Sequence, residues 1–383
     1  MSMNIVFVSN ILNHHQMSLC KAFQKYFDDF NFVTTVKADN IGYQLSTDAE
    51  FVLHYENSEN CENIEKLILN ADIAIFGACP DNLIEMRMRE NKLSFLYAER
   101  FFKRGTWRRF IPKTRKAIYR RIVGYKDNNM YALCASAFLP YDLSLLGFPV
   151  EKCFKWGYFP DTKKYDIETL LNKKKNIATK VLWVGRMLSL KHPDDAIRLA
   201  AKLKKNGINF ELNLIGDGEL RIDLETMVKS KKLEDCVHLL GSKTTEEVRN
   251  HMEESSIFLF TSDRKEGWGA VLNEAMNSGC AVVASSAIGS VPFLIKDGEN
   301  GLIYRDGDIN DLYKKVKYLI DNKENAAEMS KKAYQTLEGV WNAETAAERF
   351  MQLVNAIKTG DTDNLFNDGP CSKATVLKDN WRK

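Results

Sequence analysis

Three absences bound what this chain can be. Its eight cysteines include no Cys-x-x-Cys pair, and several sit in apolar, strand-like runs. They read as reduced core thiols, not as zinc ligands or a disulfide framework. No stretch reaches the roughly 18 apolar residues of a membrane span. No excess of charge is present either: 54 Lys and Arg stand against 51 Asp and Glu, a net +3, so the chain as a whole does not read as a nucleic-acid binder. The first residues, Met3-Asn4-Ile5-Val6-Phe7-Val8-Ser9, carry no basic leader and read as a buried strand, not a signal peptide. The expectation is a cytoplasmic protein, soluble or peripheral on the inner face of a membrane. A further absence concerns Gly216-Asp217-Gly218, which lacks the third glycine of Gly-x-Gly-x-x-Gly because Arg221 stands there. A nicotinamide oxidoreductase is thereby disfavoured.

What is present is an alternation of short apolar runs and amphipathic segments. At 383 residues the prior is two domains, each with its own core. Strands are predicted at 5–9, 32–36, 73–76, 94–97, 131–134 and 153–156, with helices between them at 16–27 and 83–90. The polar stretch 161–180 breaks the rhythm and reads as a connection. Strands resume at 181–185, 210–215, 237–240, 257–260 and 281–284, with helices at 193–205, 220–231, 245–253, 270–278 and 309–320. The fold class is therefore α/β, with two doubly wound, Rossmann-like domains that bind ligands at the carboxyl ends of parallel strands. The predicted division is 1–162, then 163–341, then 342–383. That last segment holds a helix at 343–357 returning to the first domain and an acidic, Asn-rich tail that is loosely held.

The most informative window is Glu266-Gly267-Trp268-Gly269-Ala270-Val271-Leu272-Asn273-Glu274. A helix N-terminus attracts an anion, while two carboxylates accept hydrogen bonds from hydroxyls. A nucleoside-diphosphate sugar carries both groups. Alone, the window reads more simply as two solvated glutamates at a helix start. Gly185-Arg186 follows the first strand of the second domain, with Lys191 five residues on. One guanidinium and one ammonium there can flank a diphosphate, or they are two exposed loop cations. Gly216 and Gly218 mark a strand–turn–helix junction where backbone approaches a ligand, although most such glycines only turn the chain. Asp306-Gly307-Asp308 has the form of a metal-binding Asp-x-Asp but reads as a turn and helix cap.

The order Gly-Arg-x4-Lys, Gly-x-Gly, Glu-x7-Glu, strand, Gly narrows these readings. Residues 178–304 resemble the donor domain of the retaining GT-B glycosyltransferases of family four. The resemblance rests on Val-Leu-Trp-Val-Gly-Arg-Met-Leu-Ser-Leu-Lys from 181, Leu-Ile-Gly-Asp-Gly-Glu-Leu from 214, the Glu266 window with its continuation to Ser285, and Lys-Asp-Gly-Glu-Asn-Gly-Leu-Ile-Tyr from 296. It implies that Arg186 and Lys191 hold the donor pyrophosphate and steady the leaving nucleoside diphosphate. It gives the ribose hydroxyls to Glu274 and the donor sugar to Glu266, with the backbone of Gly267, Trp268, Gly269 and Ala270 nearby. Gly185 and Gly216 belong to the same donor-binding set. Fixed positive charge would make a metal redundant, and no cofactor beyond the donor is implied. Base recognition would fall to backbone near Ser242 and Lys243.

The first domain is less family-like. In place of a Gly-rich loop it has Asn10-Ile11-Leu12-Asn13-His14-His15-Gln16. His14 or His15 is a candidate for donor phosphate or an acceptor hydroxyl, or else a helix-start residue facing solvent. Glu99 ends a predicted strand and is a candidate general base or a surface glutamate. The stretch from Arg100 to Arg121 holds ten Lys or Arg in 22 residues and no acid. Phe101, Phe102, Trp107, Phe110, Ile111, Ile118 and Tyr119 are interleaved with the charge. Such a mixture suits an anionic bilayer surface, a partner that a lipid-linked sugar acceptor would give a purpose; a solvated basic face is the simpler alternative. The expected activity is metal-independent, retaining transfer of a sugar from a nucleoside-diphosphate donor to a glycan or lipid-linked acceptor in polysaccharide biosynthesis. A nucleotide-sugar epimerase of the same architecture, or a nucleotide-sugar-binding scaffold with a degenerate site, stands as the alternative.

Overall fold

The structure is a computed structural model, described here for residues 3–36, 49–55, 60–175, 179–362 and 365–382. The chain divides into two compact units, one of residues 1–161 with 341–378 and one of residues 162–340 with 379–383.

Among the described residues, the first unit is built on a seven-stranded sheet. Its strands are β1 (Asn4–Ser9), β2 (Asp29–Thr34), β3 (Val52–His54), β4 (Ile73–Phe76), β5 (Ser94–Ala98), β6 (Met130–Cys134) and β7 (Cys153–Lys155). Their order is β3-β2-β1-β4-β5-β6-β7, and every pairing is parallel. Parallel strands are covered on both faces, which is why they read as continuous apolar runs: all of β4 is buried. One face packs Val6, Val8, Ala74, Phe76 and Leu96 under Ile64, Leu83, Ile84 and Ile118. On the other, Phe350 of the helix Ala343–Thr359 meets Phe95, Phe23 and Trp156 at ring distances of 4.9, 5.5 and 5.7 Å.

The second unit repeats the plan with β8 (Lys180–Val184), β9 (Glu211–Ile215), β10 (Val237–Gly241), β11 (Ile257–Phe260), β12 (Ala281–Ser285) and β13 (Leu302–Tyr304). The order β10-β9-β8-β11-β12-β13 is again wholly parallel. In each sheet the winding direction reverses once, between β1 and β4 and between β8 and β11. The loops leaving those strands diverge and open a crevice at their carboxyl ends.

Three expectations are corrected. The stretch 161–180 is not merely a connection: it contains the helix Ile167–Lys175, which buries Leu170 and Leu171. Lys174 is buried with them because its Nζ donates to the carbonyls of Met252, Ser278 and Gly279 at 2.9, 2.7 and 2.8 Å. The tail after Gly360 is not loosely held. Cys371, Ser372 and Ala374 are buried, and Lys155 N–H donates to Ser372 O at 2.8 Å. The last residues turn to the second unit, where Trp381 Nε1 donates to Ser286 O at 3.0 Å and Arg382 pairs with Asp297 at 2.7 Å. Finally, β3 and β13 form where no strand was expected.

Candidate donor site

The site grows from two neighbouring strands. β8 and β11 pair in register from Ile257 opposite Val181 to Leu259 opposite Trp183, so the loops after Val184 and Phe260 leave side by side. They are tied together. Trp183 Nε1 donates to Thr261 Oγ1 at 2.9 Å, Thr261 Oγ1 donates to Lys191 O at 2.7 Å, and Asp263 N–H donates to Leu190 O at 2.9 Å. Across this tie the ammonium of Lys191 pairs with Oε2 of Glu266, which also accepts from Ser262 Oγ at 3.1 Å. Both charged side chains are mostly sheltered, at 18% and 13% exposure. Arg186 is exposed and makes no side-chain hydrogen bond or ion pair with a described residue. One bound cation, one free cation and a carboxylate therefore share the carboxyl ends of β8 and β11.

Glycine is required where the backbones touch. A Cβ on Gly216 (φ +132°) would lie 1.9 Å from the Gly185 carbonyl oxygen, and one on Gly218 would lie 2.7 Å from Met187 O. The loop after β9 is pressed onto the loop after β8, and Met187 N–H donates to Asp217 O at 2.8 Å. Gly269 (φ +76°) leaves no room for a side chain because the Phe260 ring lies 2.2 Å from its Cβ position. Trp268 has no exposed surface; its indole donates to Asn273 Oδ1 at 2.9 Å and its carbonyl accepts from Ser290. The Trp268 side chain is thus a packing element beneath the loop, and of Gly267, Trp268 and Gly269 it is Gly269 that retains partial exposure. Ala270 caps the helix Val271–Asn277, on which Glu274 stands. Burial pushes the Glu274 carboxyl above its ordinary range, against the pull of Arg249. Arg249 is itself buried and bonds Asn277 Oδ1 at 2.9 Å. Asp306 and Asp308 are committed locally. Asp308 Oδ1 accepts from Asn310 and Asp311 N–H at 2.9 Å each, capping the helix Ile309–Asp321, and Asp306 accepts from Ser285 Oγ at 3.0 Å.

The first-unit candidates lie at the equivalent edge of their own sheet. A cleft of about 460 Å³ at the ends of β1, β4 and β5 is lined by Ser9, Asn10, Gly77, Tyr97, Glu99 and Tyr158. Glu99 accepts from Tyr158 Oη at 2.9 Å and pairs with Lys103. His14 opens the helix His14–Tyr26 and is exposed. His15 packs against His14 and lies parallel to Tyr158, and burial, then the charge of His14, lowers its pKa to about 3. The basic stretch is not uniform. Arg100 is buried on Asp142 at 3.0 Å, and Arg121 holds the carbonyls of Gly77 and Cys79 at 2.6 and 2.9 Å. Phe102 and Ile118 are core residues. What faces outward is Trp107 (59% exposed), Phe110 (72%) and Tyr119 (57%), with Lys113, Arg115, Lys116 and Arg120 on the helix Pro112–Arg121.

Sequence reasoning did not find Thr261, Ser262, Asp263 or His192, which hold the two loops. For Thr261, Asp263 and His192 the signal is spatial, since each meets a residue far away in the chain, whereas Ser262 reaches Glu266 only four residues on.

Residues 161–336 match the family described as glycosyl transferases group 1. The amylovoran biosynthesis glycosyltransferase AmsK of Erwinia amylovora is 28% identical over 281 residues, which cover 72% of this chain and 66% of that protein. Over the first three curated relatives, the match spans 66%, 43% and 34% of their own lengths. Anabaena HepE, solved in complex with UDP, superposes with a TM-score of 0.70 at 14% identity, covering 93% of this chain and all of that one. The apo lipopolysaccharide outer core galactosyltransferase WaaB gives 0.69 at 16% identity with the same coverage. Residues 161–336, nearly all of the second unit, thus match the group 1 glycosyl transferases, and the two wholly parallel sheets have the fold of these solved glycosyltransferases.

Proposed function

We propose that the chain transfers a sugar, with retention of anomeric configuration, from a nucleoside-diphosphate donor to a glycan or lipid-linked acceptor in polysaccharide biosynthesis. The observation that carries this reading is the convergence of Arg186, Lys191 and Glu266 on the carboxyl ends of β8 and β11. As the bond from the anomeric carbon to the diphosphate breaks, negative charge builds on the leaving oxygen. Arg186 and Lys191 meet that charge with cations already in position, which is where fixed charge lowers a barrier most. No metal is then needed for leaving-group stabilisation. Glu266 accepts from donor-sugar hydroxyls and Glu274 from the ribose. The acceptor hydroxyl oxygen forms the new glycosidic bond to the anomeric carbon as the bond to the diphosphate is lost, and its proton passes to the departing diphosphate.

The cleft beside Glu99 in the first unit suits the acceptor, since its aromatic rings, amides and one carboxylate are groups that bind sugars. The exposed rings and cations on and before the helix Pro112–Arg121 suit the interface of an anionic bilayer. Among the described residues no helix is long and apolar enough to cross a membrane, so contact with a lipid-linked acceptor would be peripheral.

A thermal-shift screen with UDP, GDP, ADP, CMP and dTDP and their sugar conjugates, with and without EDTA, tests the reading. UDP leads the set because HepE was solved with it. A ligand at 100 times its dissociation constant adds about 2.7 kcal/mol of stability. One EDTA-insensitive shift, lost in Glu274→Ala, is the expected result. No shift with any nucleotide would move a degenerate scaffold ahead of the enzyme.

A further inference from the structure

One residue beside the site adopts a backbone conformation that its side chain disfavours. His192 closes the turn Ser189–Lys191 and caps the helix Pro193–Lys205 at φ +48°, ψ +52°. A Cβ is disfavoured in this left-handed region, where glycine is the ordinary choice, and such residues cluster at functional sites. Its ring faces carboxylates: Nε2 lies 3.7 Å from Asp263 Oδ2 and Nδ1 lies 3.9 Å from Asp194 Oδ1. Asp263 occupies the junction of the two site loops. Its N–H donates to Leu190 O at 2.9 Å, its carbonyl accepts Glu266 N–H at 3.0 Å, and its carboxylate meets His192.

We propose that His192 is a positioning residue for the donor site: its imidazolium, set against the Asp263 carboxylate, clamps the Lys191 loop to the Glu266 loop. This rests on the donor-site reading above. The surrounding charges fit the role. Lys265 also pairs with Asp263, Arg198 pairs with Asp194 and Asp195, and Asp306, after β13, feels the charges of His192, Asp263 and Arg264. The contact with Asp263, ahead of burial acting the other way, holds the imidazolium above its ordinary range. The clamp is therefore closed while the ring is protonated and opens as the pH rises through that raised value.

Two measurements test it together. The ring-proton titration of His192, followed by NMR in the wild type and in Asp263→Asn, reads the clamp without any ligand; its midpoint should fall in the variant, and an unchanged midpoint overturns the clamp. Titration of UDP at pH 6 to 9 against wild type, His192→Gly and His192→Asn reads its consequence. His192→Gly, freed of the left-handed strain, should melt no lower than wild type yet bind UDP about tenfold more weakly. It should also lose the wild-type fall in affinity with rising pH. His192→Asn tolerates the left-handed region and retains a donor, so it should recover part of the affinity without the pH step. A glycine variant with wild-type affinity and pH profile overturns the positioning role. If the wild type binds no nucleoside diphosphate, the functional reading fails and takes the donor-site role with it, while the histidine titration still decides the clamp.

Discussion

The ammonium of Lys191 and the carboxylate of Glu266 are paired, although 75 residues separate them in the chain. Each is the main charged partner of the other, and both are largely withdrawn from water. On the proposed function, a donor entering the site would bring two negative phosphates to the ammonium and hydroxyls to the carboxylate, so both groups would exchange one partner for a better one. Lys191→Ala should cut turnover at least 100-fold, the scale of losing one fixed charge from a leaving group. Steady-state kinetics with the donor found by the nucleotide screen measures it. Turnover near that of the wild type would reduce Lys191 to a strut for Glu266.

Glu274 gives a trade between stability and binding. Burial raises its pKa, with Arg249 working against the shift. A carboxyl with a raised folded pKa contributes stability below its unfolded value, near pH 4, and loses it as pH rises through the folded value. Toward neutral pH that contribution is lost, because the buried site disfavours the carboxylate form. Glu274→Gln should raise the melting temperature at pH 7 and leave it unchanged at pH 4. The same change should weaken UDP about tenfold, which is one charged hydrogen bond of roughly 1.5 kcal/mol. Calorimetric melting at both pH values, with UDP titration, checks both halves.

Gly216 separates collision from backbone strain. Gly216→Ala places a methyl 1.9 Å from Gly185 O at φ +132°, whereas Gly207→Ala at φ +70° meets nothing within 4 Å. The control should cost about 1 kcal/mol and keep nucleotide binding. Gly216→Ala should cost about 2 kcal/mol or more, with loss of binding as the Arg186 loop is pushed away. Equal melting temperatures in the two variants would show that the Arg186 loop yields without cost.

The outward face of the helix Pro112–Arg121 makes a prediction that salt can dissect. Vesicles of anionic lipid should retain the protein. Replacing Lys113, Arg115 and Lys116 with Gln should weaken retention at low salt by about 1 kcal/mol per residue, a difference that fades at 1 M salt. Replacing Trp107, Phe110 and Tyr119 with Ser should weaken it at every salt concentration. Sedimentation with vesicles at 0.05 and 1 M salt reads both, and equal retention of all variants would return the stretch to a solvated face.

The parts of the molecule that could be read from sequence share a physical cause. Long central strands such as Asn4–Ser9 and Ile257–Phe260 are covered on both faces and show as unbroken apolar runs. Val52–His54 is buried fully only at Val52, and Leu302–Tyr304 directly follows the turn closed by Asp297 and Gly301, so neither shows as a separate apolar run. The helix Ile167–Lys175 was hidden by its lysines, because a buried ammonium satisfied by three carbonyls looks like a solvated one in a sequence. Arg186, Lys191, Glu266 and Glu274 stand out by spacing along single loops and one helix. His192 and Asp263 do not, since their relation exists only once β8 and β11 pair. The basic stretch looked homogeneous because letters do not say which arginines bond carbonyls inward, as Arg121 does.

The helix Ala343–Thr359 belongs to the unit that the chain begins, and Phe350 fills the aromatic face of that unit's sheet. During synthesis this helix leaves the ribosome only after the whole of residues 162–340. The unit translated first is therefore the last to be completed, an inversion of the usual order in which N-terminal domains finish first. Until then Phe95 and Trp156 lack the ring that covers them, and the nascent chain must keep that apolar surface from other chains while the second unit folds. A fragment ending at residue 161 would be held permanently at that stage.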